Sequence, residues 1–207
     1  MPFLWLLVVR FCFCFVRFVW NRAGIALGWS WGYAPTLNTH SVVRKNHIST
    51  LGQGQLSDMG CVYHRGVDVG TVIEDNLCHN VTAHDYGGWG YYLDEGSSYV
   101  TVRGNVVHDT KAAGVFQHYG QHNTIENNLL FNVNLGVGPH NVSQAAIGSG
   151  AHDEGDFKDL ASFAFERNVV SVDRGEMFSA STLNGFRNMS FDHNVYFDSG
   201  VGSEVLF

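Results

Sequence analysis

Only three prolines, twelve lysines and arginines, and no long run of Ala, Leu, Glu and Lys occur in this 207-residue chain. Without uninterrupted helix formers an all-α fold is excluded. The twelve basic residues are scattered and face nineteen acidic ones, a net charge of -7. Phosphate backbones are bound by clustered Lys and Arg, so nucleic acid is not an expected partner. Charge is sparse overall at 15%, while hydrophobic residues make up 45%, which excludes disorder and gives a single domain with a substantial core. Twenty-four glycines and many asparagines point to turns between strands.

The first twenty residues, MPFLWLLVVRFCFCFVRFVW, are apolar and aromatic, but Arg10 and Arg17 make a membrane-spanning helix costly. The run also lacks the positive n-region and small-residue cleavage site of a secretory signal. Residues 1–22 read as a degenerate signal or anchor, or as a spurious start, with the folded domain over 23–207. A membrane is a partner only if that segment is a real anchor. Cys61 and Cys78 fit either two buried thiols or a bridge. Sequons at Asn80, Asn141 and Asn188 suit a secreted, extracellular protein, although three among so many asparagines is close to chance.

A repeat organises the rest. SVVRKN, TVIEDN, VTVRGN, NTIENN, FAFERN and MSFDHN end at Asn46, Asn76, Asn105, Asn128, Asn168 and Asn194, at spacings of 30, 29, 23, 40 and 26 residues. Such spacing is that of a solenoid with loops of variable length. Strand alternation turns Val43, Ile73, Val102, Ile125, Phe165 and Phe191 inward and the following Arg44, Glu74, Arg103, Glu126, Glu166 and Asp192 outward. One coil cannot bury its apolar face alone, whereas a stack can. The asparagines are expected at tight turns, in left-handed backbone, with their amides bonded between coils.

Three further strands share length and glycine brackets: Gly60-CVYHR-Gly66, Gly90-YYLDE-Gly96 and Gly114-VFQHY-Gly120. Aligned on those glycines, they stack His64, Asp94 and His118 in one column and Arg65, Glu95 and Tyr119 in the next. At a strand spacing of about 4.8 Å, Asp94 then has a histidine on either side. The same parity turns Tyr92 and Phe116 outward, an aromatic and polar patch suited to sugar faces. It leaves Gln117 inward without an evident partner, and Glu95 inward unless the strand ends before it.

From about Ala23 to Asn194, and above all in GIALGWSWGY, GQGQLSDMG, YGGWGYYLDEGSS and HYGQHNTIENN, the chain resembles secreted right-handed parallel β-helix proteins of the pectate-lyase-like superfamily. The resemblance implies an all-β, three-sheet solenoid acting on or binding a polysaccharide or oligosaccharide. The repeats give about six to seven coils, and without a cap signal at either end the solenoid is expected to be truncated at both ends or covered there by another chain. The resemblance fixes no reaction, since one fold hosts many functions. GYYLDE is similar to a Gly-Ile-Trp-Leu-Asp-Trp strand of β-helix glycoside hydrolases, whose aspartate is the nucleophile, and this implies that role for Asp94. The acid/base glutamate of that pattern has no counterpart, because VFQHYG offers Gln117 and His118 instead.

The expected catalytic set is therefore Asp94 with His118 and Glu95. His64, Arg65, Tyr92, Phe116 and Tyr119 are expected to bind substrate. An imidazolium beside a carboxylate stabilises both charged forms. Asp58 lies six strand positions from the Asp94 column, roughly 20 Å at about 3.3 Å per residue, and is set aside. No cofactor or metal is assigned, although two imidazoles and a carboxylate are a donor set for a transition metal. His79 and His108 occupy equivalent places and form a second, exposed ladder. SGAHDEGDFKD reads as a solvated acidic insertion rather than a calcium loop. A glycoside hydrolase, a polysaccharide lyase or epimerase, and a non-catalytic carbohydrate-binding or adhesion module all remain open.

Overall fold

The computed structural model describes residues 24–135, 162–173, 176–178 and 189–198, together with the backbone of short strands at Cys12–Cys14, Arg17–Val19, Ala145–Ser149 and Val205–Leu206. Among the described residues every strand pairing is parallel apart from the antiparallel one of Val195–Asp198 with Val205–Leu206. The strands fall into three sheets that the chain visits in turn. The first sheet runs Cys12–Cys14, Val42–Arg44, Val67–Glu74, Ser98–Arg103, Asn123–Glu126, Phe163–Glu166 and Met189–Asp192. The second begins Arg17–Val19, His47–Leu51, Leu77–Val81 and Val106–Thr110. The third includes Ile25–Gly28, Gly60–Arg65, Trp89–Leu93 and Val115–Gln117. This is a parallel β-helix: each turn of chain contributes one strand to each sheet, and long-range parallel pairing replaces local contact.

Its interior is the predicted inward column. Val43, Ile73, Val102, Ile125 and Phe165 are fully buried and in direct register, and Phe191 packs against them from the last described coil. The charged residues that follow face out and pair between coils, as Arg103 does with Glu74 at 2.7 Å. The asparagines form a buried ladder. In each coil the backbone N–H and Nδ2 both donate to Oδ1 of the next asparagine at 2.8–3.2 Å. Nδ2 of each from Asn76 onward also donates to a carbonyl of the coil before it, that of Val43, Ile73, Val102, Ile125 or Phe165. The expected left-handed backbone is one residue off, because it is Lys45, Asp75, Gly104, Asn127, Arg167 and His193, immediately before each asparagine, that have φ of 54–63°. The turn residue points to solvent, and the asparagine is free to turn in and satisfy the corner.

Cys61 and Cys78 are joined in a disulfide that bridges the third and second sheets across 17 residues. His79 and His108 stack at 4.8 Å with nearly parallel rings, and His47 extends the row. Burial, followed by the neighbouring His108, pushes the His79 imidazole below its ordinary value. The acidic SGAHDEGDFKD stretch lies outside the described residues except where it begins on the Ala145–Ser149 strand. Among the described residues no helix is long and apolar enough to cross a membrane.

Candidate functional site

Two of the three glycine-framed strands stack as aligned. Tyr91, Tyr92 and Leu93 pair with Val115, Phe116 and Gln117, and the ladder continues through the His118 N–H to the Leu93 carbonyl at 2.8 Å. The third strand is displaced by one residue: Val62, Tyr63 and His64 pair with Tyr91, Tyr92 and Leu93. A one-residue slip moves every side chain to the other face. His64 therefore points into the core beside Leu27 and Leu93, fully buried, and Tyr63 takes the outward place. The substrate-binding role expected for His64 does not survive this placement. Its ring instead joins a buried network, with Nδ1 3.0 Å from Ser97 Oγ and Nε2 3.3 Å from Asp68 Oδ2.

The slip is absorbed at the corners. Between the pairs Val62/Tyr91 and Val67/Ser98 the later coil carries two more residues, and it spends them on a turn closed by the Ser97 N–H to the Asp94 carbonyl at 2.9 Å. The earlier coil regains them through the irregularity opposite Ser98 and Val100. Because the strand ends at Leu93, Glu95 is released from strand parity and does not turn inward. Gly96, at φ 75°, lies so close to Gly32 that a Cβ there would sit 2.1 Å from the Gly32 carbonyl oxygen. Gly32 and Gly66 N–H groups both donate to the Glu95 carbonyl at 3.1 Å. These contacts bring the GWSWGY segment over the Asp94 turn. Gln117 does face inward, and its burial is compensated by Asn123 Nδ2 at 2.8 Å and the Gly120 carbonyl at 3.2 Å.

Asp94 is 5% exposed and accepts four side-chain hydrogen bonds. Oδ1 accepts from Tyr92 Oη at 2.9 Å and His118 Nδ1 at 3.0 Å, and Oδ2 from Tyr63 Oη at 2.6 Å and Trp31 Nε1 at 3.2 Å. Burial alone pushes the carboxyl up, but His118, Tyr63, the Glu95 backbone N–H and Tyr92 outweigh it and hold it at about 2. Asp94 is thus a carboxylate throughout the physiological range. Burial, then the Asp94 carboxylate, raises the Tyr63 hydroxyl to about 12 and pushes Tyr92 up as well. Both are fixed as donors.

Around this carboxylate lies a cleft of about 370 Å³ walled by Trp31, Tyr63, Tyr86, Trp89, Tyr92 and Phe116, with Asp58, Glu95 and His118 at its edges. Trp89 stacks on Phe116 at 4.7 Å and leans on Tyr92 at 4.2 Å, so the inner wall is a packed aromatic cluster. Tyr119 lies outside the cleft lining: its hydroxyl donates to Glu95 Oε2 at 2.9 Å and its ring meets Tyr33. Burial, then Glu95, pushes that hydroxyl up. Arg65 also stands behind the wall, its guanidinium 4.3 Å from the centre of the Trp31 ring.

Asp58 overturns the sequence expectation that excluded it. Counting strand positions ignores the corner before Gly60, where the chain turns back. The Asp58 N–H is pinned to the Tyr86 carbonyl at 3.2 Å, with its own φ at 55°, and Oδ1 lies 3.1 Å from the Tyr92 hydroxyl. Since that hydroxyl also touches Asp94 Oδ1 at 2.9 Å, the two carboxylates stand within about 6 Å of each other. Trp31 and Asp58 both belong to segments already distinctive in sequence, GWSWGY and GQGQLSDMG. Their role was invisible because it depends on loops crossing between coils.

A ligand atom from each of Asp94, Glu95 and His118 lies within 4.8 Å of the others, close enough to surround a cation.

The family model described as "Right handed beta helix region" matches residues 34–150, which include all of this site except Trp31. The chain belongs to that family. No curated protein and no solved structure matches it.

Proposed function

We propose that this β-helix protein is a glycoside hydrolase acting on an extracellular polysaccharide or oligosaccharide, with Asp94 as its central carboxylate. The observation that supports this reading is a carboxylate held well below its ordinary pKa in an aromatic cleft, with a second carboxyl beside it. Aromatic walls stack on pyranose faces, and an ionised aspartate stabilises positive charge at an anomeric carbon. Glu95, with a carboxylate oxygen within 4.8 Å of one from Asp94, approaches the separation of about 5–5.5 Å used by retaining enzymes. In this mechanism Asp94 attacks the anomeric carbon as Glu95 protonates the departing oxygen. Water then takes the place of Asp94 while Glu95 accepts its proton. His118, donating through Nδ1, keeps Asp94 ionised and oriented.

Elimination, the alternative, calls for a base beside a uronate. Of the candidate bases His118, Tyr119 and Arg65, Tyr119 has its hydroxyl committed to Glu95 and made less acidic by burial and Arg65 lies against Trp31 outside the lining, which leaves His118 as the base that elimination would have to use. A non-catalytic module would show sugar affinity with no product. The disulfide favours an oxidising, extracytoplasmic location.

The test is a glycan screen read both for released reducing ends and for unsaturated products by ultraviolet absorbance. Hydrolysis releases reducing ends with retained anomeric configuration by NMR, and Asp94→Asn abolishes turnover with the fold intact. Unsaturated products, or turnover that persists in Asp94→Asn, would refute the assignment.

A further inference from the structure

The charge of the cleft selects among glycans. Three carboxylates converge on it. Asp94 and Asp58 share the Tyr92 hydroxyl, and Glu95 Oε1 lies 4.0 Å from the same His118 Nδ1 that faces Asp94. Among the described residues no lysine or arginine lines the cleft. Among the described residues the nearby cations are engaged: Arg65 lies against Trp31 and Tyr63 and hydrogen-bonds the Tyr63 hydroxyl, and Lys111 Nζ donates to the carbonyls of Ala83 and Asp85. The groups that compensate Asp94 are, His118 apart, the neutral hydroxyl and indole donors of Tyr63, Tyr92 and Trp31. They stabilise that one charge and leave Asp58 facing the cavity; Glu95, which must carry a proton to act as the acid, adds charge only in its ionised form.

Negative charge set among aromatic faces is the composition that recognises an organic ammonium, through ion pairing at the carboxylates and attraction to the rings. It repels a carboxylate-bearing sugar, because like charges brought together during binding are strongly disfavoured. On the reading that this cleft is a carbohydrate site, we infer that it takes a glycan carrying protonated amino groups and excludes polyuronates. Asp58 is the selecting residue at the mouth: it is exposed, 3.1 Å from Tyr92, and outside the Asp94–Glu95 pair that performs the chemistry.

The experiment is titration calorimetry of the intact protein with three oligosaccharide series of equal length: glucosamine oligomers, their N-acetylated forms and oligogalacturonates, at a pH where the amines are protonated. Glucosamine oligomers are expected to bind at least about tenfold tighter than the N-acetylated series, with an affinity that falls as salt rises. Oligogalacturonates are expected to give no measurable heat. Asp58→Asn, which tolerates the left-handed backbone at that position, should lower affinity for glucosamine oligomers several-fold and leave the N-acetylated series unchanged. Equal binding of the N-acetylated series, or any binding of oligogalacturonates comparable to the amino series, overturns the charge selection while leaving hydrolysis open. Tight binding of glucosamine oligomers with no release of reducing ends overturns hydrolysis while leaving the charge selection in place. Absence of binding by all three overturns both.

Discussion

Replacing Asn105 with alanine removes one rung of the buried ladder, and the structure shows what each neighbour loses. The Asn76 backbone N–H loses its acceptor at 2.9 Å and Asn76 Nδ2 loses one at 3.0 Å. The Ile73 carbonyl loses a donor at 2.9 Å, and Asn128 Oδ1 loses one of its two. Asn128 Oδ1 still accepts from the backbone N–H of residue 105, and Asn76 Nδ2 still reaches the Val43 carbonyl. Two buried groups, the Asn76 N–H and the Ile73 carbonyl, therefore carry most of the loss. At about 1–3 kcal/mol for each buried polar group left without its partner, the change costs roughly 2–6 kcal/mol. That is a large part of the total of about 5–15 kcal/mol typical of a folded domain. Asn105→Asp restores the acceptor but not the Nδ2 donors, and it sets a charge against Asn128 Oδ1, so it should be no milder. Arg103→Ala, two residues from Asn105, breaks an exposed pair with Glu74 and should cost under about 1 kcal/mol. Urea unfolding followed by far-ultraviolet circular dichroism reads all three. An Asn105→Ala loss no larger than that of Arg103→Ala would refute the claim that the ladder holds the coils together.

Other perturbations test the site and its supports. The Asp94 carboxyl is lowered from 3.8 to about 2, so the folded state binds its proton less readily than the unfolded chain does. The resulting stabilisation, about 2 kcal/mol at 1.36 kcal/mol per pH unit, is present above pH ~4 and lost as pH falls through about 2. The stability gap between wild type and Asp94→Asn should accordingly shrink over that window in acid titrations, and a constant gap would contradict the assigned donors. Reducing the Cys61–Cys78 bridge releases a 17-residue loop and should cost roughly 3 kcal/mol, seen as a lower Tm in reductant. Gly96→Ala drives a Cβ into the Gly32 carbonyl; it should raise KM and weaken ligand-induced protection of Trp31 fluorescence while the Asn105 rung stays intact. Unchanged KM would show that the GWSWGY segment does not roof the cleft.

What the sequence made legible, and what it did not, divides along one physical line. Inside a strand, position follows from parity and from the apolar column, so the inward residues Val43 to Phe165 and the Asp94–His118 neighbourhood could be read directly. At a corner nothing periodic constrains the chain, and two residues more or fewer change the register without leaving a sign in the glycine pattern. The displacement of Gly60–Arg65 against Trp89–Leu93 is such a case: both brackets end in a glycine of positive φ, Gly66 and Gly96, yet they close turns of different length. The same indeterminacy hid Asp58, whose distance was counted along a strand that the chain abandons before Gly60. It also hid Trp31, which reaches Asp94 Oδ2 across 63 residues of sequence. The strands therefore carry the part of the site that sequence made legible, and the corners the part that it did not. Here Asp94 and His118 directly follow the paired strands Trp89–Leu93 and Val115–Gln117. The corners supply Trp31, Asp58 and the released Glu95 that line the cleft around that carboxylate.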